Sequence, residues 1–375
     1  MKILDICHRV PYPPETGRNI RQFHFIKYLS KIHELHLVYP SFSQDDITQG
    51  KKLKKYCKSI STCLIKHSML KAYASVPLLR PSSFNYFYSK ELQKIIDNIE
   101  CDLILIRSSQ MAMYVINRPE KKIADIGDSD AEKWKDYSKE KFFPFGPVYF
   151  LEYLKVKRWE KKIINKFDKT IVISETEKKL VHNQAIVISN GADFPKIKKL
   201  KKIPNTIIFS GAMDYKPNID AVIFFHDKVF PEIKKKFPEV QFIVAGMNPP
   251  KKIQKLKNLK TTGYIKDMNS FIAKHTIYIA PLVVSRGVLN KILNAMAIGI
   301  PVVATKIANQ GISAKNGKEI LLADSAEEFA QQIIRVLQNK NLQKKLSSNA
   351  RKFVKKNFNW KNEYKELDQV IELIK

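Results

Sequence analysis

Two basic side chains lie close together where a helix is predicted late in the chain. Arg286 and Lys291 fall in the segment 280–305, and the apolar pattern that follows predicts a helix over 287–298. Free N–H groups and the helix dipole make a helix N-terminus a natural place for an anion. The pair therefore indicates a site for a pyrophosphate, although two solvated surface charges would leave the same pattern.

Two further loops place glycine before a predicted helix. Residues 11–21 join a stiff proline segment to Gly17, and residues 210–218 join Gly211 to a helix start beside Lys216. The first can present N–H groups to an anion or to sugar hydroxyls, and the lysine of the second can pair with phosphate. A plain turn with a proline stop explains the first loop as well, so both interpretations stay open.

The elements that must position these loops are strands and helices in alternation. Runs that are apolar on both faces predict buried parallel strands, and six occur before residue 190. They lie at 2–7, 35–39, 102–108, 121–128, 170–174 and 185–189. In such sheets ligands bind beyond the carboxyl ends of the strands.

The alternation restarts after a lysine-rich stretch, residues 193–202, which predicts a solvated linker. Strands are predicted at 206–210, 240–246, 278–282, 301–305 and 320–324, and helices at 218–236, 249–257 and 287–298. A Ser-x-x-Glu capping pattern opens the helix at Ser325. The sequence thus predicts an α/β fold: two doubly wound, Rossmann-like domains facing a central cleft, with boundaries at 1–192 and 203–356.

The net charge is the one unusual property of the composition. The 375 residues include 66 Lys and Arg against 36 Asp and Glu, which gives +30, and 56 of the basic residues are Lys. Base readout favours Arg, and no nucleic-acid recognition motif occurs, so nucleic acid is not an expected partner. A lysine-biased surface, an anionic membrane and another polyanion all remain as explanations.

Metal, disulfide and membrane-spanning classes are not expected. The four cysteines have no ligand spacing, and no segment reaches the ~18 apolar residues of a spanning helix. Asp5 interrupts the first apolar residues, so the start of the chain has no signal-peptide pattern. We expect a cytoplasmic protein, with peripheral attachment to the inner face of a membrane as an additional hypothesis.

Taken in order, these motifs resemble a known family. The chain is similar to glycosyltransferases of GT-B fold in the large retaining, nucleotide-sugar-dependent group (glycosyl transferases group 1 type). It is most similar to the sugar transferases found with exosortase and exopolysaccharide genes. The matching segments are 8–14 with Gly17 and Ile20-Arg21, 125–134, 172–175, 190–193, 211–218 and 286–297.

The resemblance implies a retaining hexosyltransferase-type enzyme. It would move a sugar from a UDP- or GDP-linked donor to a glycan or lipid-linked acceptor, in polysaccharide or glycoconjugate biosynthesis. In such enzymes the C-terminal domain binds the donor and the N-terminal domain binds the acceptor. Basic side chains and helix N-termini, rather than a metal or a cofactor, stabilise the departing diphosphate. A C-terminal helix in 357–375 is expected to return to the N-terminal domain.

Residue roles follow from the same resemblance. Arg286 and Lys291 would hold the diphosphate as catalytic residues, and the segment 263–267 would cradle the nucleobase. The donor-binding residues are then Gly211, Met213, Lys216, Tyr264, Ile265, Gly287, Asn290 and Asn294, and the acceptor-binding residues are Gly17, Arg18, Arg21 and Asp125.

The acid–base residue is predicted at the end of a first-domain strand. Asp125 and Asp128 both lie there, and either can orient or deprotonate an acceptor hydroxyl. Asp128 is the predicted catalytic residue. Capping of the following helix explains both aspartates as well.

Two positions depart from the family. Asn294 stands where the family has Glu, whose carboxylate accepts hydrogen bonds from the ribose, and Arg18 stands where close relatives often have Asp. The first change weakens donor binding by about 1.5–3 kcal/mol, the usual value of a charge-assisted bond. A degenerate, non-transferring homologue that acts as a binding or scaffold protein is therefore the alternative, and a sugar-nucleotide epimerase is a third. The aromatic segment 142–151 suits either a membrane contact or a lid.

Overall fold

The computed structural model describes residues 1–15, 17–65, 80–140, 145–195 and 200–375. Residues 196–199 of the predicted linker and 142–144 of the aromatic segment lie outside these ranges, as does the side chain of Arg18. The chain forms two compact units, one of Met1–Ser189 with Tyr364–Lys375 and one of Asn190–Glu363.

A parallel seven-stranded sheet is the centre of the first unit. Its strands are β1 Lys2–Cys7, β2 Glu34–Ser41, β3 Ser59–Leu64, β4 Leu103–Arg107, β5 Lys121–Gly127, β6 Lys169–Val172 and β7 Ile186–Val187, in the order β3-β2-β1-β4-β5-β6-β7. Every residue of β4 is buried, as expected of a strand covered on both faces. The order reverses between β1 and β4, which is where a doubly wound sheet opens a binding crevice.

Helices connect these strands. They are Gly17–Leu29, Gln44–Lys51, Ser82–Asn85, Lys90–Asp97, Ala112–Val115, Asp130–Glu140, Phe145–Lys166 and Glu175–Val181, with a 3₁₀ turn at Ser109–Met111. The last helix, Trp360–Glu372, brings the end of the chain to this unit. There the ring of Tyr364 stacks on Tyr28 at 4.2 Å, and its hydroxyl lies 2.9 Å from Nδ1 of His24.

The second unit is built on a parallel six-stranded sheet. Its strands are β8 Thr206–Ser210, β9 Gln241–Ala245, β10 Leu259–Thr261, β11 Ile277–Ala280, β12 Val302–Ala304 and β13 Leu321–Leu322, in the order β10-β9-β8-β11-β12-β13. Here too the order reverses, between β8 and β11. The loops that follow these two strands are the ones that carry Gly211 and Arg286.

The helices of the second unit differ in places from the sequence pattern. They are Lys216–Phe224, Phe230–Lys236, Lys251–Gln254, Met268–Ala273, Asn290–Ile298, Lys306–Asn309, Ala326–Gln338 and Lys340–Asn357. The capping box predicted at Ser325 is present, because its hydroxyl accepts from the Glu328 amide at 3.1 Å.

Three predicted helices are wrong in extent. The helix over 218–236 is broken by a π-helical turn at Phe225–Val229, since Pro231 cannot donate to the carbonyl four residues earlier. The helix over 249–257 shrinks to Lys251–Gln254 behind two prolines. The helix over 287–298 begins only at Asn290, because Gly287 has a φ of 62°, outside the helical region.

Within the described ranges, no helix combines the length and the apolar character needed to cross a membrane.

Candidate functional site

Two loops of the second unit approach each other at the carboxyl edge of its sheet. Gly211 follows β8 and Gly246 follows β9, and a Cβ added at Gly246 would lie 1.8 Å from the carbonyl oxygen of Gly211. Gly246 also forms an antiparallel bridge with Gly263, which follows β10. Glycine at position 246 therefore lets the backbone of three neighbouring loops meet in one place.

The ammonium of Lys291 lies over the first of these loops. Its Nζ donates to Oδ1 of Asn218 at 2.6 Å and lies 4.7 Å from the centre of the Phe209 ring. A Cβ at Gly211 would come 3.0 Å from the same nitrogen. Burial lowers the pKa of Lys291 to about 7. A bound anion would favour the protonated form again, so this is a position suited to negative charge.

Asn218 is a site residue that the sequence analysis did not single out. It is buried, and its Nδ2 donates to the carbonyl of Ala212 at 2.8 Å while its oxygen accepts from Lys291. One amide thus ties the glycine loop to the lysine. The signal was its place next to Pro217 at a helix start, where a polar residue is usually explained by capping.

The loop before the helix Asn290–Ile298 carries the other predicted diphosphate residue. Arg286 is half-buried there, and the carbonyl of Gly287 packs so close to Gly311 that a Cβ at Gly311 would lie 2.0 Å from it. The hydroxyl of Ser285 is buried and has no hydrogen-bond partner among the described residues. Because the helix starts at Asn290, Arg286 lies in the preceding loop rather than on the first helical turn.

Polar residues continue along the first turns of this helix. Asn290 accepts a hydrogen bond from Nδ2 of Asn190 at 3.0 Å. Lys291 and Asn294 are three positions apart, which puts them on neighbouring parts of the helix surface, and Asn294 is half-buried. Asn294, the predicted ribose-binding residue, therefore lies about one helical turn beyond Lys291.

The remaining predicted donor residues are placed in different surroundings. Met213 is fully buried, and its amide donates to the carbonyl of Met247 at 2.9 Å, so it anchors the loop after β8. Lys216 is exposed and forms an ion pair with Asp220 on its own helix. Tyr264 is 60% exposed and Ile265 half-buried, just after the bridge between Gly246 and Gly263. Their predicted roles stay predictions.

The first unit holds a buried chain of ion pairs at the carboxyl end of its central strands. Arg107 donates to both oxygens of Asp5 at 3.1 Å and to Asp125 at 2.9 Å. Arg21 donates to Asp125 at 3.0 Å and to the carbonyl oxygens of residues 188 and 189 at 2.8 and 2.9 Å. Burial alone would raise the pKa of Asp125, but the two guanidinium groups hold it below its usual value.

This chain of ion pairs bears on two residues predicted to bind the acceptor. Arg21 and Asp125 are directed at each other, which is a structural role that the sequence analysis did not foresee. Asp5 and Arg107 were missed entirely. The available signal was a charged residue inside each of two otherwise apolar strands, since such charges are rarely buried unless they are paired.

Asp128 lies in the loop after β5, next to Gly127, whose φ is 66°. Its Oδ1 is buried and has no hydrogen-bond partner in the part of the chain that the structure describes. The capping alternative does not apply to it, because Ser129 accepts from the amide of Glu132 at 3.2 Å and so caps the helix. The side chain of Asp128 is therefore not committed to capping the helix.

Neighbouring carboxylates hold that loop in place. Oε2 of Glu177 accepts from the Ser129 amide at 2.8 Å, and Oε2 of Glu160 accepts from the Ser129 hydroxyl at 2.9 Å. Burial, with a contribution from nearby Asp130, raises the pKa of Glu160 to about 8. In the other predicted acceptor loop, a helix does begin at Gly17, and Asn19 donates to the Pro13 carbonyl at 3.2 Å.

In the described parts of the chain, no group of three or more His, Cys, Asp or Glu side chains is placed to hold a metal ion. What the second unit offers an anion is the Lys291 ammonium and the backbone N–H groups of a helix start, with Arg286 in the loop before that helix.

Comparison with known proteins adds to this geometry. Residues 204–339 match the model of the family Glycosyl transferases group 1. An uncharacterized 44.6 kDa protein in the cps region of Klebsiella pneumoniae is 22% identical over 391 aligned positions, which cover 98% of each chain. An uncharacterized glycosyltransferase of Methanocaldococcus jannaschii is 28% identical over 253 positions, 59% of this chain and 62% of the relative.

The whole chain also resembles solved structures. One is a variant of S. aureus TarM in complex with Fondaparinux, alpha-GlcNAc-glycerol and UDP, with a TM-score of 0.72 at 12% identity over 98% of this chain and 99% of that one. Likeness at this level of identity concerns the fold, and it confirms the predicted GT-B architecture.

Proposed function

We propose, from the match of residues 204–339 to the Glycosyl transferases group 1 family, that the chain is a glycosyltransferase with a specific reaction. The protein transfers a sugar from a UDP- or GDP-linked donor to a glycan or lipid-linked acceptor, with retention, in polysaccharide or glycoconjugate biosynthesis. Relatives in a cps region and among glycosyltransferases support sugar transfer as the reaction class. UDP is present in a similar structure, which favours a uridine donor.

The buried ammonium of Lys291 is the observation that carries this proposal. It lies at the carboxyl edge of β8, held by Asn218 and backed by the Phe209 ring. When the bond between the sugar and the diphosphate breaks, negative charge grows on the leaving oxygen. A cation fixed in a largely dry site stabilises that charge more than it stabilises the intact donor, which is how such a residue accelerates the reaction.

Arg286 and the loop around it complete the diphosphate site in this proposal. A guanidinium donates two parallel hydrogen bonds to phosphate oxygens, and the buried Ser285 hydroxyl can add another. Asn290 and Asn294 then face the rest of the nucleotide along the helix. The segment with Tyr264 and Ile265 is the proposed base-binding edge, because the bridge between Gly246 and Gly263 brings it to the glycine loop.

Asp128 is the proposed residue for the acceptor hydroxyl. Its buried Oδ1, which has no hydrogen-bond partner among the described residues, is proposed to accept the hydroxyl hydrogen as the acceptor oxygen bonds to the anomeric carbon. The proton leaves the acceptor oxygen, and the bond to the diphosphate oxygen breaks. Retention requires the acceptor to arrive on the face from which the diphosphate leaves.

The test is a transfer assay with defined donors. Purified protein is incubated in EDTA with UDP- or GDP-linked hexoses, with and without a bacterial lipid and glycan extract, and nucleoside diphosphate release is measured. We expect release with one donor only when acceptor is present, and an anomeric signal of the product that matches the donor by NMR. Donor consumption without acceptor would contradict transfer and favour an epimerase.

Asn294 favours one competing function. With one acceptor oxygen in place of two, it holds a ribose less firmly than Glu would. If no donor is consumed and Asn294→Glu restores turnover, the protein is a non-transferring binding homologue. Equal activity of the two proteins would instead show that Asn suffices.

A further inference from the structure

The helix Phe145–Lys166 presents an unusual outward surface in the first unit. Four large apolar side chains in its first half are about half exposed: Phe145 at 52%, Phe150 at 48%, Leu151 at 50% and Leu154 at 46%. Exposed apolar residues are normally scattered singly, whereas these lie within ten positions on one helix. The cluster is therefore a candidate contact surface.

The second half of the same helix is exposed and basic. Arg158, Lys161, Lys162 and Lys166 all lie on the solvent side. The two carboxylates of the helix point inward: Glu152 accepts from the amides of residues 82 and 83, and Glu160 accepts from Ser129. The outward side of the described helix is thus apolar at one end and cationic at the other, with its acidic residues buried.

Aromatic rings border the apolar end. The indole of Trp134 lies 5.5 Å from the Tyr149 ring and 5.9 Å from the Tyr137 ring, and Phe145 lies 6.5 Å from Tyr149. Amphipathic rings of this kind are favoured at the boundary between water and hydrocarbon. They place the exposed apolar residues beside groups suited to that boundary.

We infer that this face, formed by Phe150, Leu151 and Leu154 with the exposed basic residues from Arg158 to Lys166, binds the surface of an anionic bilayer. Apolar side chains that enter the headgroup region, next to cations that meet acidic lipids, are what an interfacial helix uses. The +30 charge of the chain points to the same partner. The inference rests on the proposed function in one respect, since it would bring the acceptor-binding domain to a lipid-linked acceptor.

The same helix also helps to hold the loop that carries Asp128. Glu160 is buried and accepts from the Ser129 hydroxyl, so this contact is on the inward side of the helix. The proposed membrane face and the Asp128 loop are therefore on different sides of one helix, and the inference concerns attachment of this unit to a bilayer.

The experiment is vesicle co-sedimentation of the full chain. Vesicles of phosphatidylcholine are compared with vesicles that contain 30% phosphatidylglycerol, because the proposed partner is an anionic bilayer. One variant removes apolar contact (Leu151→Ser with Leu154→Ser), and a second removes charge (Arg158→Gln, Lys161→Gln and Lys162→Gln). These side chains are exposed, so folding is expected to be preserved, and circular dichroism checks it.

Matched controls lie elsewhere on the chain. Ile32→Ser with Leu373→Ser removes two exposed apolar residues of the same unit. A triple variant removes one Arg and two Lys from the exposed side of another helix: Arg351→Gln, Lys344→Gln and Lys345→Gln. We expect both test variants to bind anionic vesicles at least tenfold more weakly than the parent protein. For the charge variant the reason is that each basic residue near the surface contributes roughly fivefold to the binding constant. The control variants should bind within twofold of the parent protein.

Several results would overturn the inference. Sedimentation of the protein equally with neutral and anionic vesicles, or with neither, would contradict an anionic bilayer as the partner. Equal loss of binding in the test and control variants would contradict the role of this face. A dimer in solution that dissociates in Leu151→Ser with Leu154→Ser would show that the face binds a second copy of the chain instead. Nucleotide titration without vesicles separates this inference from the proposed function. Nucleotide binding without vesicle binding refutes the membrane face alone, and vesicle binding without nucleotide binding refutes the transferase alone.

Discussion

Replacing Lys291 with Met should stabilise the protein while it removes donor binding. Burial lowers the pKa of Lys291 from 10.5 to about 7, so protonation at neutral pH is opposed by the fold. At roughly 1.36 kcal/mol per pH unit, this costs the native state up to roughly 4 kcal/mol at pH 7 and roughly 2 kcal/mol at pH 9. Lys291 keeps some solvent access, so half of each value is the expected gain from removing the ammonium, and the loss of its hydrogen bond to the buried Asn218 oxygen offsets about 1 kcal/mol of it.

The pH dependence gives this prediction its direction. Because the folded-state pKa lies below the unfolded one, the unfolded chain binds more protons between pH 7 and 10.5. The contribution of Lys291 to stability therefore becomes less unfavourable as pH rises through that window. The net advantage of Lys291→Met should therefore be about 1 kcal/mol at pH 7 and about zero at pH 9.

Urea unfolding at the two pH values measures the stability change, and calorimetric titration with a nucleotide measures binding. Affinity should fall ten- to a hundredfold, the usual effect of losing a charge-assisted contact. Lys318→Met is the matched control, because that side chain is exposed and only pairs with Glu319 at 3.3 Å. A destabilised Lys291→Met, or a gain that does not change with pH, would refute the reasoning.

Three further substitutions test other parts of the account. Asn218→Asp places a carboxylate 2.6 Å from the Lys291 ammonium and neutralises it, so nucleotide affinity should fall at least tenfold; Asn218→Asp with unchanged affinity would contradict the proposed positioning of Lys291. Gly246→Ala puts a methyl group 1.8 Å from the Gly211 carbonyl oxygen and should lower the free energy of unfolding in urea by about 2–3 kcal/mol. Gly317→Ala is the control, because Gly317 has a φ of 75° but open space around it, and it should cost about 1 kcal/mol. Equal costs would argue against close packing of the loops. Asp128→Asn should keep nucleotide binding within twofold and lower transfer at least a hundredfold, and normal turnover would remove Asp128 from the mechanism.

Much of the fold was predictable because buried parallel strands have a simple signature. Strands such as β4 and β8 are fully buried and largely apolar, as the sequence predicted, with polar or charged residues only at their ends. Helix boundaries were less predictable, since they depend on single residues. Gly287 delays one helix to Asn290, and Pro231 divides another, and neither effect is visible in hydrophobic periodicity.

The site was predictable in its parts and less so in its contacts. Lys291 and the Gly211 loop were found from their residue types at strand ends, and the structure places them together. Asn218 was missed because its role depends on one hydrogen bond across the loop. Arg107 and Asp5 were missed because a charge in an apolar strand indicates that a partner is needed but does not show which residue of the neighbouring strand supplies it.

The central claim is that the second unit binds a nucleoside diphosphate without a metal ion. Calorimetric titration of the protein with UDP, GDP, ADP and CMP in EDTA tests it most directly. The account predicts micromolar binding of one nucleoside diphosphate, with UDP favoured, and loss of that binding in Lys291→Met. No binding of any nucleotide to protein shown to be folded by circular dichroism would contradict it.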